Sequence, residues 1–393
     1  MVIDIGMELD SLPSFDIPRH LAPHMSRTKS FVIEGTPDVH TASSLLLCNP
    51  VPFLEHLEMK AQSDSVRDLE NFLGQGAPSL RSATFVGIHP ALECSFPLPS
   101  LTKLILGLPK EMGSLQISLL LRLCSNCPRL EDLSIKISCE MIQDILAPGQ
   151  VTSLDLLVKL EYTSDTPVQF LPFLRLPQLK HLVASSPWKP GKVDKLADIL
   201  PNDGRLFLSR ATAVSHRHGC MAQSIELSGE GVNALFHLSD INTGPIGGRF
   251  LDQLNIPFEQ IEYLDLQGVC IPIDYAIDLF QNLTKLRVEP FAGDIFTQWI
   301  FNLLLPRSET VIPCPSLREV EYTCVEPDGS DLGSLIEMVK KRKRAEHQLE
   351  LLCVLSAPEL GPDRAKELGE HVGELKFDRE KENIFIFVSV QPM

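Results

Sequence analysis

One phrase recurs along this chain and constrains its fold more than any other feature. Pro-x-Leu-x-x-Leu-x-apolar, or a near copy, stands at Pro78-x-Leu80-x-x-Ala83-x-Phe85, Pro99-x-Leu101-x-x-Leu104-x-Leu106, Pro128-x-Leu130-x-x-Leu133-x-Ile135, Pro177-x-Leu179-x-x-Leu182-x-Ala184 and Pro315-x-Leu317-x-x-Val320-x-Tyr322. Further copies of Leu-x-x-Leu-x-apolar begin at Leu54, Val151, Ile261 and Leu283. Apart from one gap of 82 residues after Leu179, the first apolar positions follow one another at intervals of 21 to 34 residues. That gap has room for about three decayed repeats. Phe31-x-Ile33, Leu206-x-Leu208 and Ile225-x-Leu227 read as decayed copies. A phrase at this interval predicts a stacked repeat array rather than one globular core.

Leu-x-Leu alternates with period two, so both side chains leave one face of a strand. A single short strand cannot bury that face, but parallel copies side by side make one apolar seam. The proline suits the start of such a strand, where no N–H is owed to the ladder. Helix-like stretches lie between the phrases at Ser114–Cys124, Ile273–Gln281, Asp294–Leu305 and Asp331–Arg344. In the last, Leu332, Leu335, Ile336 and Val339 share one helical face, and the basic end suits the negative pole of the helix. Strand, turn, helix and turn within ~20–29 residues is the leucine-rich-repeat plan. The expected fold is α/β: a leucine-rich-repeat solenoid of about ten to thirteen repeats, a curved horseshoe with parallel strands on the concave face and helices on the convex face. Residues 1–24 form an N-terminal lead-in or cap, and residues 25–390 the divergent repeat domain, with an irregular middle at 185–249. The apolar run Asn383–Val390 is expected to pair as the last strand.

The form Cys-Pro-x-Leu-x-x-Leu-x-apolar, clearest at Cys127-Pro128-Arg129-Leu130 and Cys314-Pro315-Ser316-Leu317, resembles the repeats of F-box leucine-rich-repeat proteins, and the proline-rich style is similar to the fungal members. The resemblance covers roughly residues 25–390. It implies a substrate-recognition part of a ubiquitin-ligase adaptor, with ubiquitin-ligase components as partners if a longer product carries an F-box. Two features depart from the family. The eighth residue after the first Leu is neither Asn nor Cys in any of the nine copies, so another device must hold the turns. No F-box segment precedes the repeats, and the only tryptophans are Trp188 and Trp299, so the chain reads as the recognition half alone.

Composition narrows the partners. A net charge of −16 argues against nucleic acid and anionic membrane surfaces, and favours solubility or a basic partner. No apolar run reaches the ~18–20 residues of a membrane-spanning helix. The acids in MVIDIGMELD do not suit a secretory signal. A cytoplasmic or nuclear location is expected, with the ten cysteines free. Asn282-Leu283-Thr284 matches a glycosylation sequon, but Leu283 is expected to be buried.

No residue pattern compels an enzyme, and no cofactor or metal is expected. Cys124-x-x-Cys127 follows a helix, whereas a redox pair sits at a helix start. His216, His218 and Cys220 could face one side of a strand as metal ligands, yet no fourth ligand is evident. Gly229-x-Gly231-x-x-Ala234 fits part of a dinucleotide fingerprint, but a turn between strands fits equally. Lys340–Arg344 reads either as a nuclear import signal or as a solvated helix end.

The expected function is non-enzymatic protein recognition, with a plain scaffold or an enzyme built on the Gly229 loop or the His216–Cys220 cluster as alternatives. Neighbours of inward side chains face outward. Glu131, Asp132 and Ser134, then Lys180 and His181 with Val183, then Glu262, Tyr263 and Asp265, then Arg318, Glu319 and Glu321 should therefore form one exposed, acid-rich wall.

Overall fold

The computed structural model describes residues 22–35, 49–61, 68–69, 77–87, 89–90, 98–108, 114–142, 151–164, 170–187, 200–201, 203–218, 222–239, 256–268, 277–290, 296–308, 310–324, 332–355 and 362–378. Among these, the longer strands in the main sheet are β1 (Ser30–Gly35), β2 (His56–Ala61), β3 (Ser82–Val86), β4 (Lys103–Leu108), β5 (Asp132–Ile137), β6 (Lys159–Ser164), β7 (His181–Pro187), β8 (Ala211–His218), β9 (Ala222–Gly229), β10 (Val232–Ser239), β11 (Tyr263–Gln267), β12 (Lys285–Glu289), β13 (Glu319–Thr323), β14 (Leu351–Leu355) and β15 (Glu374–Asp378). The helices are α1 (Ile117–Ser125), α2 (Gly204–Leu208), α3 (Phe296–Leu303), α4 (Leu332–Arg344) and α5 (Pro362–Gly369). The fold is mixed α/β. None of the described helices is long and apolar enough to cross a membrane.

The chain divides into two compact units. Unit 1 holds residues up to Arg210 together with Gly231–Asn242, and unit 2 holds Ala211–Glu230 and the chain from Thr243 onward. In unit 1, β1 to β7 pair in chain order and β10 adds beside β7, all parallel. The register stacks Phe31, Leu57, Ala83, Leu104, Leu133, Leu160, Leu182 and Ala234 in one row and Met59, Phe85, Leu106, Ile135, Tyr162, Ala184 and Phe236 in the next. All of these side chains are buried. Each large member contributes about 1.5–3 kcal/mol through burial. In unit 2, β8 pairs antiparallel with β9 and parallel with β11, after which β12 to β15 follow in parallel. Leu264, Leu286, Val320 and Leu352 form one buried row, and Leu266, Val288, Tyr322 and Val354 the other. Helix α3 covers this side, since the Phe301 ring meets the Tyr322 ring edge-on at 5.3 Å.

The turn before each strand explains the proline. Val51-Pro52-Phe53-Leu54 is such a turn: the Val51 carbonyl accepts the Leu54 N–H at 3.1 Å. The same bond, at 3.0–3.2 Å, closes Ala77–Leu80, Leu98–Leu101, Cys127–Leu130, Leu154–Leu157, Leu176–Leu179 and Cys314–Leu317. Proline therefore sits inside a β-turn at its second position, where its fixed φ is wanted, and not at the first residue of the strand. The turn's first and last residues are buried, so an apolar residue ahead of the proline belongs to the phrase.

A second device stacks one repeat on the next. In most repeats the carbonyl two residues before the strand-centre apolar residue accepts two N–H groups from the following repeat. Glu131 takes those of Val158 and Lys159, Glu262 those of Thr284 and Lys285, and Arg318 those of Glu350 and Leu351, at 2.8–3.1 Å. These backbone bonds tie the repeats together at the approach to each strand, with no need of a side-chain ladder there.

Several expectations change. The copy at Val151 is out of register by six residues. Leu154 is the buried first residue of the turn, Val151 and Leu156 are exposed, and the strand copy is Leu157-x-x-Leu160-x-Tyr162. Val151-x-x-Leu154-x-Leu156 and Leu157-x-x-Leu160-x-Tyr162 both satisfy the phrase, and the one that aligns Leu160 between Leu133 and Leu182 buries its apolar residues. Leu206 and Leu208 lie in helix α2, not in a strand. Ile225-x-Leu227 is a strand, but it pairs antiparallel with β8, so the long gap is not filled by decayed copies alone. Two copies had escaped notice: Leu349-x-x-Leu352-x-Val354 and Val372-x-x-Leu375-x-Phe377 lead into β14 and β15. Of the expected helix Ile273–Gln281, the described part is a 3-10 turn at Ile277–Leu279. The run Asn383–Val390 lies outside the described residues.

Candidate functional site

Each phrase strand buries alternate residues, and the residues between them form the opposite, open face. In unit 1 this face carries Asp132 between Lys103 and Lys159, its register neighbours. Lys103 lies 3.7 Å from Asp132, and Lys159 lies 2.8 Å from Glu161 in the neighbouring row. The hydrogen bond from Lys159 holds the Glu161 carboxyl below the ordinary glutamate value, and the same contact raises Lys159. Glu58 is lowered in the same way by Lys60. Ser134 sits beside Glu161 in register, and His181 is exposed on β7 between Lys159 and Asn233. Glu131 and Lys180 are exposed one residue before their strands. The face carries Lys60, Lys103, Lys136 and Lys159 against Glu58, Asp132 and Glu161, so in unit 1 it is mixed in charge.

In unit 2 the open face is built from β8, β11, β12 and β13. Tyr263, Lys285 and Glu319 stand in one row. Ser215, Asp265, Arg287 and Glu321 stand in the next, and Arg217, Gln267 and Glu289 in the third. Arg287 is the centre. Its Nη2 donates to Glu289 Oε2 at 3.0 Å, its Nε lies 3.1 Å from Glu321 Oε1, and its Nε lies 3.9 Å from Asp265 Oδ1. Lys285 lies 3.6 Å from Glu319 and 6.0 Å from the centre of the Tyr263 ring. Burial raises the Tyr263 hydroxyl above its ordinary value.

Asp265 departs from expectation. It was expected to be exposed, yet it is 3% exposed. Its Oδ2 accepts bonds from Ser215 Oγ at 3.2 Å and Gln267 Nε2 at 3.0 Å, while its Oδ1 has no hydrogen bond. Burial raises its carboxyl above the ordinary aspartate value, with Arg287 pulling the other way. A short acid on a central strand is overgrown by longer neighbours, which strand alternation alone does not reveal. Tyr263, Glu319 and Glu321 are partly exposed, and Glu262 and Arg318 are exposed, with Arg318 3.1 Å from Glu350.

The expected residues therefore fall in two groups, Glu131, Asp132, Ser134, Lys180 and His181 in unit 1 and Glu262, Tyr263, Asp265, Arg318, Glu319 and Glu321 in unit 2. Sequence reasoning missed Arg287, Lys285 and Glu289. The signal was present, because Lys285 and Arg287 are in-between residues of the Leu283-x-x-Leu286-x-Val288 copy and Glu289 directly follows it. Lys159 and Glu161 were missed because the register of their repeat was misread.

The remaining candidates are structural in setting. Cys124 and Cys127 are buried at the C-terminal end of α1, and burial pushes the Cys124 thiol far up, the opposite of what a reactive thiolate needs. Cys314 is likewise pushed up to about 12 by burial. After Gly229, Glu230 and Gly231 make a turn, with Gly231 at φ +67°, and strand β10 follows where a dinucleotide site needs a helix. The backbone of His216 and His218 lies in β8, but their side chains and Cys220 lie outside the described residues. No group of three or more potential metal ligands occurs among the described residues. In the basic run, Arg342 is not solvated. It is fully buried and donates to the carbonyls of Leu304, Pro313 and Cys314, the last held at φ +47°. Leu283 of the sequon is buried as expected, and Asn282 Nδ2 donates to the Glu259 carbonyl at 2.7 Å.

No protein-family model matches this chain, and no curated protein is significantly similar to it.

Proposed function

We propose that this chain is a divergent leucine-rich-repeat solenoid that recognises another protein through the open faces of its parallel sheets and performs no chemistry itself. One observation carries the reading. Strand after strand, the inward row is buried while the intervening row, buried residues such as Asp265 and Thr84 apart, stays partly exposed and bears charged, hydroxyl and aromatic side chains in fixed register. Such rows are rigid, because the strands are held by their neighbours and most of the parallel ones also by the paired bonds at their approach. A stable contact needs about 800 Å² per partner, which several adjacent repeats can supply. The resemblance of the Cys-Pro-x-Leu phrases to F-box repeat proteins favours a substrate-recognition role in a ubiquitin ligase over a plain scaffold.

A photo-crosslinking residue placed at Asp132 or Tyr263 tests the reading in cells. Each position should yield discrete partner adducts, whereas Gln298 on α3 and Asp363 on α5, which are exposed on helices, should not. Adducts confined to the helix positions would overturn it. Ubiquitin-ligase components co-captured with the full chain support the ligase role, and their consistent absence favours the scaffold.

A further inference from the structure

We propose that the Arg287 cluster on the open face of unit 2 is the anchor of that contact, and that it receives a lysine or arginine side chain from a basic segment of the partner. The inference rests on the recognition reading and adds the chemistry of the partner.

Charge and hydrogen-bond capacity point the same way. Asp265, Glu289 and Glu321 surround the single guanidinium of Arg287. With the rims included, four carboxylates (Glu319 is the fourth) face three cations, Arg217, Lys285 and Arg287. Lys285 is engaged by Glu319. The carboxylates therefore outnumber the cations by one. Asp265 is almost fully buried, and its Oδ1 faces Arg287 Nε at 3.9 Å, so the carboxylates open to a partner are Glu289, Glu319 and Glu321. A partner's ammonium or guanidinium brings three or five N–H donors and no acceptor to them. An acidic partner would instead deepen the imbalance. Tyr263 borders the cluster, and its ring offers a flat surface for the alkyl stem of a long cationic side chain. The net charge of −16 speeds the approach of a basic segment.

The test uses the full chain and fluorescein-labelled peptides, one an Arg-Gly repeat and one a Glu-Gly repeat, read by anisotropy at low and near-physiological salt. The Arg-Gly peptide should bind and the Glu-Gly peptide should not. Glu289→Gln with Glu321→Gln should weaken the Arg-Gly peptide about tenfold, while Glu337→Gln with Glu367→Gln, an equal charge change on α4 and α5, should leave it within about twofold. Equal weakening by both pairs would mean that net charge alone acts, and no weakening by the first pair would mean that the cluster is not the anchor. Either result overturns the inference. Should the first pair unfold the protein, Glu321→Gln alone is read against Glu367→Gln by the same criterion. Sheet-face crosslinks that persist when this test fails leave the recognition reading standing, and their loss sinks it independently.

Discussion

At Asp265 the geometry of the strand and the charge of the side chain pull in opposite directions. Alternation sends the carboxylate to the open face, yet longer neighbours cover it and its Oδ1 goes without a hydrogen bond. The folded protein therefore binds this proton more tightly than the unfolded chain, whose aspartate titrates near 3.9. Stability from this group grows as pH falls through the raised value and levels off below about 4. Asp265→Asn removes the titration while keeping the size. The stability of the variant relative to wild type should be higher at pH 7 than at pH 4, as read from urea unfolding at both. Glu58 and Glu161 are lowered by their lysines, so their contributions are present above about 4.3 and lost at lower pH. They are common to both proteins and cancel in the difference. A gap that does not change with pH would show that the buried carboxyl titrates as in the unfolded chain. The identity of the face residues was legible from the phrase in its clean copies, though not for Lys159 and Glu161. The burial of Asp265 and Arg342 was not, because both are decided by neighbours far along the chain: Ser215 and Arg287 for the first, and the carbonyls of Leu304, Pro313 and Cys314 for the second.

At the scale of the element, the repeat unit is a proline turn feeding a strand. Six described turns carry proline at the second position: Pro52, Pro78, Pro99, Pro128, Pro177 and Pro315. The turn Leu154–Leu157 has the same closing bond but holds Asp155 there. Proline is pre-set for this φ, so Asp155→Pro should stabilise by about 0.4–1 kcal/mol, chiefly by restricting the unfolded chain. The opposing loss is one surface bond, Ser153 Oγ to Asp155 Oδ1 at 2.5 Å. A lower midpoint in thermal or urea unfolding would mean that this turn differs from the other six. Strands built on clean copies, such as β4, β5 and β12, were legible from alternation alone. The Val151 copy was misplaced because two adjacent stretches, Val151–Leu156 and Leu157–Tyr162, satisfy the phrase, and pairing with β5 and β7 selects between them. Leu206 and Leu208 satisfied the period of a strand, but a short apolar run fits a helix as well, and here it is α2.

At the scale of the whole molecule, the six described cysteines form no disulfide, and five of them, Cys124, Cys127, Cys139, Cys314 and Cys324, are buried. Alkylation of the native protein mapped by mass spectrometry should label Cys353 well before those five, and alkylation of the denatured, unreduced protein should label all six. A disulfide among them would contradict the packing described here. By itself, the sequence determined the repeat, the parallel pairing of its clean copies, the side of each strand that is buried and the helices between several of them. These follow from local periodicity, since a period of two and a proline turn act over a few residues wherever they occur. The tertiary structure alone decided the antiparallel pairing of β8 with β9, the crossing of Gly231–Asn242 into unit 1, the register at Leu157 and the gathering of Asp265, Arg287, Glu289 and Glu321 into one cluster. Each of these depends on pairing energies between segments distant in sequence, which no local pattern encodes.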